Sequence, residues 1–122
     1  MAATVLVMDD DELMRELLRL HLCSAGYEVL APDDVVEAGH LILERRPDIL
    51  LAETEMAYMS GLEFVQAMKS DPATASVPVI FISSRTDAEP QAQLLGAAAF
   101  LTKPLHLDTL LDAVAQHATG GR

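Results

Sequence analysis

The sequence has few of the features that mark a secreted, zinc-binding or membrane protein. It contains a single cysteine, Cys23, and no tryptophan, and its aromatic fraction is only 4%. One cysteine cannot close an internal disulfide, and the paired cysteines of a zinc site are missing. The apolar runs fall well short of the roughly 18 residues of a membrane span, and Met1–Thr4 lacks the basic start of a signal peptide. We therefore expect a cytoplasmic protein without membrane contact.

Basic residues are also scarce. The chain has 8 Lys and Arg against 19 Asp and Glu, a net charge of −11. Nucleic acids are bound largely through Lys and Arg contacts to phosphate, so this balance argues against nucleic-acid binding by this domain. With 122 residues, 51% hydrophobic and 22% charged, the composition is that of one globular domain, and it excludes disorder and coiled coil. We assign residues 1–118 to the domain and residues 119–122 to a flexible tail.

Short apolar runs alternate with longer amphipathic runs along the chain. The short runs predict strands, which are Thr4–Met8, Tyr27–Ala31, Asp48–Ala52, Val77–Ile82 and Ala98–Leu101. Apolar residues at helical spacing predict a helix after each strand, and these are Asp10–Ala25, Pro32–Arg45, Gly61–Ser70, Thr86–Leu95 and Leu105–His117. Pro90 is compatible with the fourth helix only near its first turn. Five βα units in succession predict an α/β fold with a flavodoxin-like parallel sheet of order 2-1-3-4-5 and helices on both faces.

Ligands of such sheets bind beyond the carboxyl ends of the strands. The residues predicted to meet there are Asp9, Asp10, Glu53, Glu55, Ser83 and Lys103. Carboxylate oxygens suit a hard cation such as Mg²⁺, and a lysine and a hydroxyl suit phosphoryl oxygens. Each residue also has a plainer interpretation, such as a helix cap for Asp9 or a surface lysine for Lys103. Their convergence on one sheet edge favours the functional interpretation.

Five segments, in this order, resemble the response-regulator receiver domains of two-component signalling. The segments are Val5–Asp11, Arg46–Leu51, Met59–Glu63, Val77–Ser84 and Gly96–Pro104. The resemblance covers almost the whole chain. It implies a regulatory domain rather than an enzyme. Such a domain takes a phosphoryl group and passes the signal on by protein–protein contact.

The resemblance also implies an acidic site. Asp9, Asp10 and Glu53, with the backbone carbonyl of Glu55, would hold Mg²⁺. Glu53 stands at the phospho-acceptor position, where the family has an aspartate that is phosphorylated by a histidine kinase or phosphotransfer protein.

Further family roles fall on the later strands. The resemblance implies that Ser83 and Lys103 contact the phosphoryl oxygens, and that Ser83 and Phe100 form the switch. The switch remodels the surface that contacts a downstream protein target. The face formed by helix four, strand five and helix five is implied as a surface for homodimers.

The acceptor position is where this chain departs from the family. Glutamate carries the same charge as aspartate on a stem one methylene longer, and a misplacement of about 1 Å can cost on the order of 10² in rate. We therefore predict that Glu53 is a poor acceptor and that its carboxylate lies towards Lys103 and Ser83, mimicking phosphorylation. The sequence is compatible with a natural or an engineered glutamate. Two alternatives stay open, a Mg²⁺-dependent phosphohydrolase and a metal-free pseudo-receiver scaffold.

Overall fold

The computed structural model describes residues 2–57 and 59–119. In this part of the chain, strands and helices alternate as the sequence predicts. The strands are β1 (Thr4–Met8), β2 (Glu28–Leu30), β3 (Ile49–Glu53), β4 (Val79–Ser83) and β5 (Ala99–Thr102). The helices are α1 (Glu12–Ser24), α2 (Val35–Arg45), α3 (Gly61–Ser70), α4 (Glu89–Leu94) and α5 (Leu107–His117), and a 3₁₀ turn (Thr86–Ala88) precedes α4.

The strands form one parallel sheet in the order β2-β1-β3-β4-β5, which confirms the predicted fold. Successive side chains of a strand point to opposite faces, so each central strand contributes to two cores. Val7, Leu51 and Leu110 belong to the core beneath α1 and α5. Leu6 and Phe81 belong to the core beneath α2, α3 and α4. Burial on both faces explains why these strands are almost continuously apolar.

The strands that reach the predicted site are longer at their carboxyl ends than the sequence indicated. β3 ends at Glu53 and β4 at Ser83, each one residue beyond the predicted end. The backbone ladder continues through both, because Glu53 pairs with Ile82 and Ser83 pairs with Thr102. Both site residues therefore lie on the sheet itself rather than in a loop, which restricts where their side chains can point.

The ends of the helices follow recognisable local chemistry. Asp11 caps α1, since its carboxylate accepts the N–H groups of Leu13 and Met14. Asp11, rather than Asp9, therefore satisfies the first turn of α1. Pro90 lies in the first turn of α4, as its fixed backbone angle requires.

The end of the described chain is tied to the sheet. Thr119 donates its main-chain N–H and its hydroxyl to the carbonyl of Asp48, at 3.1 and 3.2 Å. The remaining residues of the predicted tail, 120–122, lie outside the described residues.

Gly61 determines how closely α3 approaches the end of β3. Its N–H donates to the carbonyl of Thr54 at 2.8 Å, and a Cβ atom at this position would lie 1.8 Å from the carbonyl oxygen of Glu53. We expect Gly61→Ala to lower the free energy of unfolding by about 2–3 kcal/mol, because α3 must move away from the strand. Denaturant unfolding measures this loss.

The matched control is Gly39→Ala in the middle of α2, where nothing lies within 4 Å of the added atom. There the substitution should raise the free energy of unfolding by about 0.5–1 kcal/mol, since alanine favours the helix. Equal effects at the two glycines would contradict the close approach of α3 to β3.

Candidate functional site

Four strands bring side chains to one edge of the sheet. Asp9 follows β1, Glu53 ends β3, Ser83 ends β4 and Lys103 follows β5. The main-chain N–H of Lys103 donates to the carbonyl of Ser83 at 2.9 Å, which holds the start of the β5–α5 loop against β4. Asp9, Glu53 and Ser83 are buried, and only 8% of Glu53 is exposed. The edge is therefore a closed polar site rather than an open acidic surface.

The ammonium group of Lys103 lies between two buried carboxylates. Its Nζ atom is 2.5 Å from Oε2 of Glu53 and 3.2 Å from Oδ2 of Asp9. Burial alone lowers the pKa of the Lys103 ammonium, but the hydrogen bond to Glu53 and the charge of Asp9 outweigh it and raise this pKa overall. Burial raises the pKa of the Asp9 carboxyl, against the opposing effects of the Asp11 N–H and of Lys103. Lys103 thus compensates two charges at once.

The second oxygen of Glu53 enters a chain of hydroxyl groups. Oε1 of Glu53 accepts the main-chain N–H of Thr54 at 2.8 Å and the Thr54 hydroxyl at 3.2 Å. The Thr54 and Ser83 hydroxyl oxygens are 2.6 Å apart, and the Ser83 hydroxyl accepts the main-chain N–H of Arg85 at 2.9 Å. Since Thr54 donates to Glu53, Ser83 donates to Thr54, and the whole chain is polarised towards the carboxylate.

An exposed ion-pair network lies beside the site. The guanidinium of Arg85 binds the carboxylate of Glu55 in the β3–α3 loop, and it also binds Asp87 Oδ2 at 2.7 Å. Hydrogen bonding to Arg85 lowers the pKa of the Asp87 carboxyl. Arg85 therefore connects the β3–α3 loop to the turn that precedes α4.

Thr54 and Arg85 are the functional neighbours that the sequence analysis did not single out. Both stand beside predicted site residues, Thr54 after Glu53 and Arg85 two residues after Ser83. A hydroxyl and a guanidinium at a sheet edge rich in carboxylates were the available signals. Phe100, predicted as part of the switch, is half-buried and packs against the core beneath α2, α3 and α4.

The oxygen donors of the predicted magnesium site are of the kind that Mg²⁺ prefers. In this structure the ammonium group of Lys103 binds the carboxylates of Asp9 and Glu53, so an ion at this site would compete with Lys103 for both. Asp10 is exposed, and the carboxylate of Glu55 is engaged by Arg85.

A separate cluster of carboxylates lies at the start of α2, within the described part of the chain. One oxygen from each of its three residues lies within 4.8 Å of the others. The three residues are Asp33, Asp34 and Glu37, and all are exposed. Asp34 is the cap of α2 and accepts the N–H of Glu37 at 2.7 Å. The capping role of Asp34 and the exposure of all three carboxylates to solvent explain this cluster.

Comparison with known proteins identifies the family of this chain. The model of the response regulator receiver domain family matches residues 5–115. The chain belongs to this family. It is therefore a receiver domain of two-component signalling, and receiver domains are regulatory. Receiver domains generally bind Mg²⁺ at the acidic pocket.

Relatives of this receiver include single-domain and longer regulators. It is 28% identical over 116 residues to the polar-differentiation response regulator DivK of Brucella anthropi, covering 93% of this chain and 94% of DivK. It is 32% identical over 103 residues to the phosphate regulon transcriptional regulatory protein PhoB of Pseudomonas aeruginosa, covering 83% of this chain but 45% of PhoB. The chain thus spans about half the length of several curated relatives it matches.

Solved structures confirm the fold of the receiver. The chemotaxis protein CheY4 of Vibrio cholerae superposes with a TM-score of 0.89 at 28% identity, covering 96% of this chain and 99% of CheY4. A putative response regulator from Chloroflexus aurantiacus gives a TM-score of 0.89 at 27% identity, covering 95% and 97%. Within the described residues, the helices are too short or too polar to cross a membrane.

Lys103→Met would leave the carboxylates of Asp9 and Glu53 buried without their shared cation. We expect the free energy of unfolding to fall by about 1–3 kcal/mol at pH 7. The loss should shrink towards acid pH, because burial raises the pKa of the Asp9 carboxyl and its protonation relieves part of the uncompensated charge. In the unsubstituted chain the raised pKa of Lys103 means that its stabilisation is complete below the ordinary lysine value of 10.5 and is lost as pH rises through the folded-state pKa. Urea unfolding at several pH values measures both effects.

The matched control is Lys69→Met. Lys69 is half-buried and donates to the carbonyls of Ala75 and Val77 at 3.3 and 3.4 Å. Burial lowers the pKa of its ammonium, and its partners are carbonyl oxygens, which do not titrate between pH 5 and pH 8. The decrease in the free energy of unfolding caused by Lys69→Met should therefore be nearly constant over this range. If the decrease caused by Lys103→Met is equally independent of pH, the Lys103 ammonium does not act by compensating its carboxylate partners.

Proposed function

We propose that this receiver domain signals through protein–protein contact in a state fixed by Glu53, without phosphorylation of the acceptor position. The observation that carries the proposal is the 2.5 Å contact between the Glu53 carboxylate and the Lys103 ammonium. The family resemblance assigns the contact of this lysine to a phosphoryl oxygen. Here a permanent side-chain charge takes the place of that group.

The surroundings of Glu53 make it a poor nucleophile. One carboxylate oxygen is bound to Lys103, and the other accepts two hydrogen bonds from Thr54. The side chain is also nearly inaccessible to a phosphodonor. The extra methylene displaces the oxygens by about 1 Å from where an aspartate would hold them. A displacement of this size can lower the rate of phosphoryl transfer by a factor on the order of 10².

The same contacts support a mimic of the phosphorylated state. The chain of hydroxyls through Thr54 and Ser83 is directed at the Glu53 charge, and it continues to the N–H of Arg85 at the start of the β4–α4 loop. We infer that this chain holds Ser83, and with it the switch that includes Phe100, in one arrangement. The carboxylate has fewer oxygens and less charge than a phosphoryl group. It therefore mimics the position and the negative sign of the phosphoryl charge, but not its magnitude.

The proposed partners follow from the family and from the fixed state. A histidine kinase or phosphotransfer protein is the upstream partner of a working acceptor, and here it would bind without lasting transfer. The downstream partner is a protein target, and the α4–β5–α5 face is the family surface for homodimers. Cytoplasmic location and the absence of nucleic-acid binding by this domain stay predictions from the composition.

Intact mass spectrometry after incubation with Mg²⁺ and acetyl phosphate tests the acceptor. We expect Glu53→Asp to gain one phosphoryl group, because the shorter stem restores the nucleophile, while the unsubstituted chain gains none. Glu53→Gln is the control that removes the charge and should also gain none. A phosphoryl group on the unsubstituted chain would overturn the proposal. If Glu53→Asp also gains none, the pocket itself no longer supports transfer and signalling runs through binding alone.

Magnesium binding is tested separately by amide NMR. Asp9, Asp10, Glu53 and the carbonyl of Glu55 stay the predicted ligands, but the ammonium of Lys103 competes for two of them. We therefore expect Mg²⁺ to bind at least about tenfold more weakly to the unsubstituted chain than to Glu53→Asp, in which the pair with Lys103 is loosened. Equal affinities would show that Lys103 does not compete with the ion.

A further inference from the structure

Thr54 is a buried residue to which the family resemblance gives no role. It follows Glu53 directly, at the end of β3, and it is fully buried. Its carbonyl accepts the main-chain N–H of Gly61 at 2.8 Å and the hydroxyl of Ser60 at 3.1 Å. These two hydrogen bonds hold the backbone of Thr54 against the start of α3. The position of its side chain is therefore constrained by the main chain as well as by its own contacts.

The Thr54 hydroxyl separates Glu53 from Ser83. Its oxygen is 3.2 Å from Oε1 of Glu53 and 2.6 Å from the hydroxyl oxygen of Ser83. Among the described residues, the Ser83 hydroxyl makes hydrogen bonds to Thr54 and to the N–H of Arg85, and none to the Glu53 carboxylate. The Glu53 carboxylate thus reaches Lys103 directly but reaches Ser83 only through Thr54.

The direction of these hydrogen bonds follows from counting protons. A hydroxyl has one proton to donate, and an ionised carboxylate can only accept. Thr54 gives its proton to Glu53, so the contact between the two hydroxyls uses the proton of Ser83. The Ser83 oxygen keeps its lone pairs, one of which accepts the N–H of Arg85. The Ser83 hydroxyl therefore has no proton left for another acceptor.

We propose that the Thr54 hydroxyl takes the place of the phosphoryl oxygen that would otherwise contact Ser83, which makes Thr54 a positioning residue of the switch. The family resemblance assigns two contacts to the phosphoryl oxygens, one from Lys103 and one from Ser83. Here Oε2 of Glu53 takes the first contact and the Thr54 hydroxyl oxygen takes the second. This inference rests on the proposed function, and it adds that Glu53 and Thr54 fix the switch together.

This role requires the hydroxyl of Thr54 rather than its shape. Valine has nearly the same shape without the hydroxyl, and serine keeps the hydroxyl without the methyl group. Thr54→Val should therefore uncouple Ser83 from the charge of Glu53, and Thr54→Ser should preserve the coupling. A role in packing alone predicts the reverse, because the buried methyl group is lost only in Thr54→Ser.

The main-chain amide of Arg85 reports on this coupling, because its N–H donates to the Ser83 hydroxyl. Amide NMR of the unsubstituted chain and of Glu53→Gln, recorded without a phosphodonor, gives the change in the Arg85 amide proton shift when the Glu53 charge is removed. We call this change the Arg85 response. We expect Thr54→Val to reduce the Arg85 response at least about threefold, since only the direct electric field of the charge then remains. Thr54→Ser should retain most of it.

Thr74→Val is the matched control. Thr74 is also buried, and its hydroxyl donates to the carbonyl of Met68 at 2.7 Å, in the loop between α3 and β4. This substitution should lower the stability of the domain without changing the Arg85 response. If Thr54→Val does not fold, a comparison of Thr54→Ala with Thr54→Ser repeats the test, because these two variants differ only in the hydroxyl.

Three results would overturn the role of Thr54. The Arg85 response is absent from the unsubstituted chain, it is unchanged in Thr54→Val, or it is reduced as strongly in Thr54→Ser as in Thr54→Val. The proposed function fails on a different result, which is phosphoryl transfer to the unsubstituted chain. The two failures are distinguishable, since the Arg85 response is measured without a phosphodonor.

Discussion

The ion pair between Glu53 and Lys103 is the interaction on which the rest of the site depends. It joins the end of β3 to the residue after β5, across the intervening strand β4. Two buried carboxylates without this ammonium would be costly at the sheet edge, because isolated charges are poorly tolerated away from water. The pair also determines the geometry around it, since the Glu53 oxygen that Lys103 leaves free is the one that accepts from Thr54. Lys103 is in this sense the centre of the site.

We propose that a single methylene changes the function of this site. An aspartate and a glutamate carry the same charge, so the composition of the site is that of a receiver domain. The longer stem lets the carboxylate reach the ammonium directly, and a carboxylate bound on both oxygens is a poor nucleophile. In the function that we propose, this permanent electrostatic contact replaces phosphoryl transfer. The hydrogen bonds from Glu53 through Thr54 and Ser83 to the N–H of Arg85 are the proposed path from that contact to the surface near α4.

The surface of the domain is acidic as a whole but locally organised. Arg85 connects Glu55 and Asp87 beside the site, and Arg19 pairs with Glu16 on α1. Such exposed pairs contribute little to stability by themselves. The Arg85 network joins the β3–α3 loop to the turn that precedes α4.

Local sequence determines the strands and helices of this protein and much of their arrangement. Apolar runs such as Val5–Met8 and the helical spacing of α1 gave the alternation of elements, and the right-handed crossovers of parallel sheets gave their order. That order was enough to place Asp9, Glu53, Ser83 and Lys103 at one edge. Only the tertiary structure decided that Lys103 lies between Asp9 and Glu53, and that Thr54 stands between Glu53 and Ser83. The reason is physical: the elements follow from periodicity along the chain and their order from the handedness of the crossovers, whereas a contact of 2.5 Å depends on how distant side chains share a confined, poorly solvated space.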